Sequence, residues 1–196
     1  TGAGMLRHGW SITDADEVKR EAAMEFIFAM IDFGGNLGAP AILGSMQGKA
    51  THLEALDLLA AGVRRCGDRA AVHGVPFIYE PLNRYETNLF NRLADAARFI
   101  ESNDLTNVVL LADLFHMNIE EPDLATALRE AGKHVGHVHF ADSNRQAMGF
   151  GHTDPAPVIS ALRDIGYQGY LSAEILPLPD PETAARQTIV SIHSLI

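Results

Sequence analysis

Four apolar runs in this chain each arrive at a residue that can hold a metal ion or move a proton. Phe77-Ile78-Tyr79 stops on Glu80, Val108 to Ala112 on Asp113, and Tyr170 to Ala173 on Glu174. The fourth run, Gly136-His137-Val138-His139-Phe140, carries His139 near its end and continues into Ala141-Asp142-Ser143-Asn144-Arg145. Side chains alternate along a strand, so His137 and His139 share one face while Val138 and Phe140 take the other. Two histidines on an inward face at a strand's end suit the lip of a site better than a core.

The segments between these runs read as helices. Val18, Ala22, Phe26, Ile27, Met30 and Ile31 recur at helical spacing behind a Thr13 or Asp14 cap. Thr51-His52-Leu53-Glu54 has capping-box form and predicts a helix reaching Val72. Asn88 is expected to cap a helix with Leu89, Leu93, Ala97 and Ile100 on one face. His116 to Glu121 reads as a polar connection, and Pro122 as the first turn of a helix ending near Gly132. Asp154-Pro155 and Asp180-Pro181 are cap-plus-proline starts for two more. Thr1 to Arg7 reads as a loop or strand end, and Ala39 to Leu43 as a short strand.

Strand and helix alternate with no hairpin signal, which implies parallel strands joined by right-handed crossovers. Five strands are expected, ending near Leu43, Glu80, Asp113, Phe140 and Glu174. An open doubly wound sheet gathers its ligand at one switch point, whereas a barrel turns every strand's C-terminal end toward one mouth. Polar residues at four consecutive ends therefore predict an α/β fold of the (β/α)8 TIM-barrel type. A complete barrel takes about 250 residues. Residues 1–196 are thus expected to form a single partial barrel domain that lacks the N-terminal two to three strand-helix units. Truncation, proteolysis or disorder ahead of Thr1 is the expected cause.

Charge narrows the partners. Acidic residues outnumber basic ones 25 to 15, for a net charge of −10. Such a field repels phosphate backbones and argues against nucleic acid. No run of about 18 apolar residues occurs, so no membrane span is expected. Cys66 is the sole cysteine, which leaves neither a disulfide framework nor a thiolate cluster. It sits in an apolar helical stretch and reads as a packed, inert thiol; a reducing, cytoplasmic setting fits.

Glu80, Asp113, His139 and Glu174 make a hard, mostly oxygen donor set that suits Mn²⁺ or Mg²⁺, with Co²⁺ a further option. Taken singly, a carboxylate at a strand end is often a helix cap or a solvated loop residue. Four ligating residues at the same point of successive units is a pattern that caps do not require. A metal that chelates a ketose carbonyl and the neighbouring hydroxyl stabilises the enediolate left when the adjacent C–H loses its proton. Glu80 and Glu174, one on each face of the substrate, would then remove and return that proton. Return from the opposite side gives epimerisation, and return from the same side to the neighbouring carbon gives isomerisation. His137, one layer below His139, reads as a partner behind the ligands or a satisfied core histidine. His152, in a glycine-rich loop before the cap Asp154, is a candidate for orienting a ligand.

Several runs, in order and at consistent spacing, match a known group. They are Glu80-Pro81-Leu82-Asn83-Arg84-Tyr85-Glu86-Thr87, Asp113-Leu114-Phe115-His116-Met117-Asn118-Ile119-Glu120-Glu121, His139 to Arg145, Gly149 to Asp154, and Glu174-Ile175-Leu176-Pro177-Leu178-Pro179. Over essentially its whole length the chain resembles the xylose-isomerase-like TIM-barrel superfamily of sugar isomerases and epimerases. Within it, the similarity is to the D-tagatose/D-psicose 3-epimerase branch and, still closer, to the 5-keto-L-gluconate epimerases. The resemblance implies a divalent metal, usually Mn²⁺, on Glu80, Asp113, His139 and Glu174, with Glu80 and Glu174 as the acid/base pair. It also implies that His116, Arg145 and Glu86 bind the substrate. The expected protein is a metal-dependent epimerase of a keto-sugar or keto-hexonate, assembled as a dimer or tetramer. Arg84 is a candidate for the carboxylate of a keto-hexonate. The alternatives are an aldose-ketose isomerase on the same barrel, of the hydroxypyruvate or inosose isomerase kind, and an inactive truncated relative. A metal nuclease of the apurinic endonuclease kind would need more histidines and a basic face. Thr1 aligns with the end of the third family strand, so the walls that set sugar specificity lie outside this sequence.

Overall fold

Acidic caps and glycine stops divide the chain into alternating helices and strands. The computed structural model describes residues 2–195. In chain order the elements are α1 (Ala3–His8), α2 (Glu17–Gly35), β1 (Ile42–Leu43), α3 (Ala55–Ala71), β2 (Phe77–Tyr79), α4 (Leu93–Ser102) and β3 (Val108–Asp113). They continue with α5 (Leu114–Glu120), α6 (Leu124–Ala131), β4 (Val135–His139), α7 (Pro155–Asp164), β5 (Leu171–Ser172) and α8 (Pro181–His193). Asp16, Asp113, Asp123, Asp154 and Asp180 each accept a hydrogen bond from a first-turn N–H of α2, α5, α6, α7 and α8. These bonds satisfy donors that have no partner inside the helix.

The strands pair in chain order, β1-β2-β3-β4-β5, and every pairing is parallel. That order belongs to a barrel wall, since a doubly wound sheet reverses direction at its switch point. The two faces of the sheet divide the work. Phe77, Tyr79, Leu110, Ala112, Val138 and Phe140 join Ile27 and Ile31 of α2 and Leu59 and Val63 of α3 in one core beneath the helices. Ile78, Val109, Leu111 and His137 occupy alternate positions, and Glu80, Asp113 and His139 follow at the C-terminal ends.

A bulge in β4 sets which face its histidines take. Leu110 pairs with Val135 and Leu111 with His137, so Gly136 is an extra residue opposite no partner. Val135 packs in the helix-side core. The inserted residue switches the alternation, and His139 comes level with Asp113. A Cβ on Gly136 would collide with the side chain of Val109.

Six local expectations need correction. Neither Thr13 nor Asp14 caps α2; Asp16 does, and the Asp14 carboxylate accepts from the Asp16 N–H instead. Residues Ala3–His8 form a helix rather than a loop or strand end, closed by Gly9 at φ 67° with its N–H on Met5 O. Thr51 to Glu54 make no capping box. His52 instead ties Glu54 to the Thr13 carbonyl, and Glu54 caps without a side-chain bond. Asn88 does not cap α4; it clamps the N–H and carbonyl of Ala50, while the Leu93 N–H is taken by Glu121. His116 lies in α5, because Asp113 turns the strand end directly into a helix. Pro122 precedes the Asp123 cap and lies outside α6. Cys66 is buried in the core, and burial pushes its thiol up to about 12.

Gly136→Ala is expected to force β3 and β4 apart locally. The cost should be about 1–3 kcal/mol of stability, as for other overpacked sites. Urea denaturation checks it, and an unchanged midpoint would mean that Val109 moves aside without penalty.

Candidate metal centre

One ligand atom each from Glu80, Asp113, His139 and Glu174 lies within 4.8 Å of the others. Two sit on strand ends, Asp113 on β3 and His139 on β4; Glu80 follows β2 and Glu174 follows β5. His139 Nδ1 is 3.2 Å from Asp113 Oδ2, 3.6 Å from Glu174 Oε2 and 4.0 Å from Glu80 Oε1. Glu80, Asp113 and His139 are buried, while the Glu174 side chain is 54% exposed.

Each position has a local cause. Asp113 is fixed through Oδ1, which accepts from the N–H groups of Phe115 and His116, leaving Oδ2 toward His139. Glu80 is fixed through its main chain. Its N–H donates to Leu43 O and its carbonyl accepts from Gln47 Nε2 at 2.9 Å. Gln47 is itself fully buried and accepts from the Tyr79 hydroxyl. Glu174 is held by Arg145, whose Nη2 lies 2.6 Å from Oε2.

The electrostatics call for a cation. Burial first, and then the charges of Asp113 and Glu174, raise the Glu80 carboxyl well above the ordinary carboxylate range. Burial also opposes ionisation of Asp113, but the His139 hydrogen bond and the two histidines beside it leave this carboxyl below its usual value. Glu80 Oε1 is buried without any hydrogen-bond partner, and such groups are costly unless something satisfies them. Three carboxylates, one imidazole and an unpartnered buried oxygen fit a hard divalent cation. Gly44 leaves room for the Glu80 carboxylate, since a Cβ there would lie 2.6 Å from Oε2.

The other residues singled out from the sequence distribute unevenly. Glu86, His116 and Arg145 line the same cavity as Glu80, His139 and Glu174, about 170 Å³ in volume, together with Leu82, Gly44 and Ser45. His116 Nε2 lies 3.9 Å from Glu80 Oε1 and 4.0 Å from Asp113 Oδ2. Burial lowers the His116 pKa below its ordinary value. The Arg145 guanidinium carbon stands 4.9 Å from the centre of the Phe115 ring. His137 lies edge-on to His139 and bonds the Ser172 hydroxyl at 2.7 Å. His152 is not brought to the four: it is exposed and lines a different cavity of about 320 Å³ with Asp154 and Glu121. Arg84 is also elsewhere, in a two-point pair with the carboxylate of Glu120.

Asp142, which in the sequence reads only as part of the polar lip after His139, organises the loop after β4. Its carboxylate accepts from the N–H groups of Ser143, Gly149, Gly151 and Thr153. Burial opposes its ionisation, yet those four donors outweigh burial and hold the carboxyl down to about 2. The glycines that bring two of these donors within reach were the available signal.

The family described as "Xylose isomerase-like TIM barrel" matches residues 1–194. The 3-dehydro-D-guloside 4-epimerase of Escherichia coli K12 is 43% identical over 126 residues, 64% of this chain and 48% of that protein. The L-ribulose 3-epimerase of Mesorhizobium japonicum is 33% identical over 169 residues, 83% of this chain and 57% of that protein. The chain thus spans about half the length of these curated relatives. The crystal structure of a 3-keto-D-glucoside 4-epimerase from E. coli superposes with a TM-score of 0.84 at 29% identity, covering 98% of this chain and 82% of that one.

Two outcomes follow from the packing. Gly44→Ala should displace the Glu80 carboxylate and weaken divalent-cation binding by about 10–100-fold, the usual loss when a ligand's support is disturbed. Calorimetric titration with Mn²⁺ reads it, and unchanged affinity would exclude Gly44 from that role. Asp142→Ala should cost about 1–3 kcal/mol by leaving buried donors unpaired. Because the Asp142 carboxyl is depressed, its contribution is full above its unfolded pKa of about 3.9 and fades as pH falls toward 2. Urea denaturation of both proteins across that range should show the gap closing in acid.

Proposed function

The chain belongs to the xylose isomerase-like TIM barrel family, and from that premise we propose that it acts in epimerising a keto-sugar at the carbon beside its carbonyl. The reading assigns a divalent metal, Mn²⁺ foremost, to Glu80, Asp113, His139 and Glu174, and the proton transfers to Glu80 and Glu174. One observation carries it: four donor side chains at the ends of four successive strands converge, and one of them, Glu80, keeps a buried oxygen with no hydrogen-bond partner. The relatives' names agree on position. A 3-epimerase of a ketose and a 4-epimerase of a 3-dehydro sugar both invert the carbon next to the carbonyl.

A bound divalent cation would draw electron density from that carbonyl and so ease loss of the neighbouring proton. The chain's own groups do the rest. Glu80 and Glu174 follow the outer two of four adjacent strands, with Asp113 and His139 between them. A sugar lying over the row meets the two carboxylates from different sides. One takes the proton as general base, and the other, protonated, returns a proton to the opposite face. Epimerisation needs that arrangement; a 1,2-isomerisation needs the proton back on the same side. His116 faces the gap between Glu80 and Asp113, within reach of a substrate oxygen. Arg145 positions Glu174 through their ion pair.

Arg84, the residue singled out for the carboxylate of a keto-hexonate, is engaged with Glu120 outside the cavity, and Arg145 within it is paired with Glu174. Among the described residues no helix is long and apolar enough to cross a membrane.

Solvent deuterium should enter beside the carbonyl of L-ribulose, D-tagatose or a 3-keto-glucoside when the full-length protein carries Mn²⁺. EDTA should abolish the exchange and added Mn²⁺ should restore it. Glu80→Gln and Glu174→Gln should each slow it by about 10²–10⁴-fold, the range for loss of an acid or base. Tight Mn²⁺ binding without exchange of any substrate proton would sink the epimerase reading and leave a metal-binding barrel.

A further inference from the structure

His116 is buried at 2% exposure, and both of its ring nitrogens face polar groups. Which nitrogen carries the proton decides whether it can donate to a substrate or only accept from one. The neighbouring Asn83, 3% exposed, settles this. The Tyr85 backbone N–H donates to Asn83 Oδ1 at 3.0 Å. A backbone N–H can only donate, so it fixes which end of the Asn83 amide is oxygen. Asn83 Nδ2 is then the atom 2.8 Å from His116 Nδ1. The Asn83 backbone N–H also points at Nδ1, at 3.4 Å. Two donors face Nδ1, so Nδ1 holds a lone pair and the proton sits on Nε2.

We propose that Asn83 is a positioning residue that locks His116 in the Nε2–H tautomer, so that His116 donates to the substrate oxygen on which negative charge develops. Nε2 lies 3.9 Å from Glu80 Oε1 and 4.0 Å from Asp113 Oδ2, too far to spend its proton on either. The proton is left for a ligand acceptor in the same cavity. Glu86 does not compete for Nδ1: its Oε1 stands 3.9 Å away and instead accepts from Asn83 Nδ2 at 3.4 Å. One amide therefore orients both His116 and Glu86. The proposal deepens the epimerase reading and rests on it only for the identity of the acceptor.

The tautomer can be read without substrate. Imidazole ¹⁵N–¹H correlation spectra of the full-length protein, metal-free and with diamagnetic Mg²⁺, should show His116 protonated on Nε2 alone, with its signals assigned by their loss in His116→Gln. Asn83→Asp keeps an oxygen for the Tyr85 N–H but puts an acceptor at Nδ1, and a proton should appear on Nδ1. Asn83→Ala, which removes the amide donor without burying a new charge, should leave the two tautomers mixed. In both variants kcat for deuterium exchange should fall by about 10²–10³-fold, as when an oxyanion donor is lost. KM should change little, because the bond strengthens only as charge develops. An Nδ1–H signal in the wild-type protein overturns the proposal, as does an effect on KM alone. A wild-type Nε2–H that both variants disturb, in a protein exchanging no substrate proton, would uphold the role of Asn83 and overturn the epimerase reading instead.

Discussion

Three carboxylates and an imidazole crowded within 4.8 Å oppose their own assembly. Like charges in a desolvated site repel strongly, and the raised Glu80 carboxyl records that repulsion along with its burial. The chain does not relieve the crowding by neutralising each side chain. It fixes main chains and outer atoms instead. Gln47 bonds the Glu80 carbonyl, Asp113 uses Oδ1 for the turn into α5, and the β4 bulge brings His139 level with Asp113. In Glu80 one oxygen is left with no hydrogen-bond partner. Polar groups supporting the site are satisfied, and the unpartnered oxygen is at its centre. A site of this kind needs a rigid support, because the one hydrogen bond found between its candidate ligands, His139 to Asp113, joins just two of the four.

Much of the fold was legible because it follows from periodicity. Apolar runs of strand length, separated by helical repeats with Asp-Pro starts at 154 and 180, gave the strand order and both late helices. Convergence of polar strand ends distinguished a barrel from a doubly wound sheet, and the sequential parallel pairing agrees. Two of the misread pieces share one cause: a local signal lost to a distant partner. The Thr51–Glu54 box fails because His52 reaches back to Thr13, and Asn88 leaves α4 because Ala50 offers it both a donor and an acceptor. Propensity ranks local choices, and tertiary contacts override it.

The site divides the same way. Glu80, Asp113, His139 and Glu174 could be picked out because each sits at an equivalent point of successive units, a regularity visible along the chain. Asn83, Gln47 and Asp142 gave no such pattern. Asn83 meets His116 thirty-three positions away, and Gln47 meets Glu80 at the same separation. A buried amide has no sequence signature of its own. Its role depends on which end faces which partner, and that is a property of the folded chain. His152 shows the opposite error, since proximity to Asp154 in a glycine-rich loop suggested a role at the centre that its exposed position does not give it.

Arg145 joins these levels. Its φ of 59° lies in the left-handed region, which costs a non-glycine residue of order 1–2 kcal/mol. Such a conformation persists only where the surroundings over-determine it. Here Asp142 does so: its carbonyl accepts the Arg145 N–H, and its carboxylate gathers the rest of the loop. The strained residue then bonds the segment after β5 twice, through its carbonyl to the Leu176 N–H at 2.7 Å and through its guanidinium to Glu174. This matters because β5 is only two residues long and pairs with β4 at just Leu171 and Ser172. Two residues of pairing cannot by themselves aim a half-exposed glutamate two positions further on. Glu174 is therefore placed by the β4 loop at least as much as by its own strand. The least regular backbone in the region orients the most exposed of the four candidate ligands.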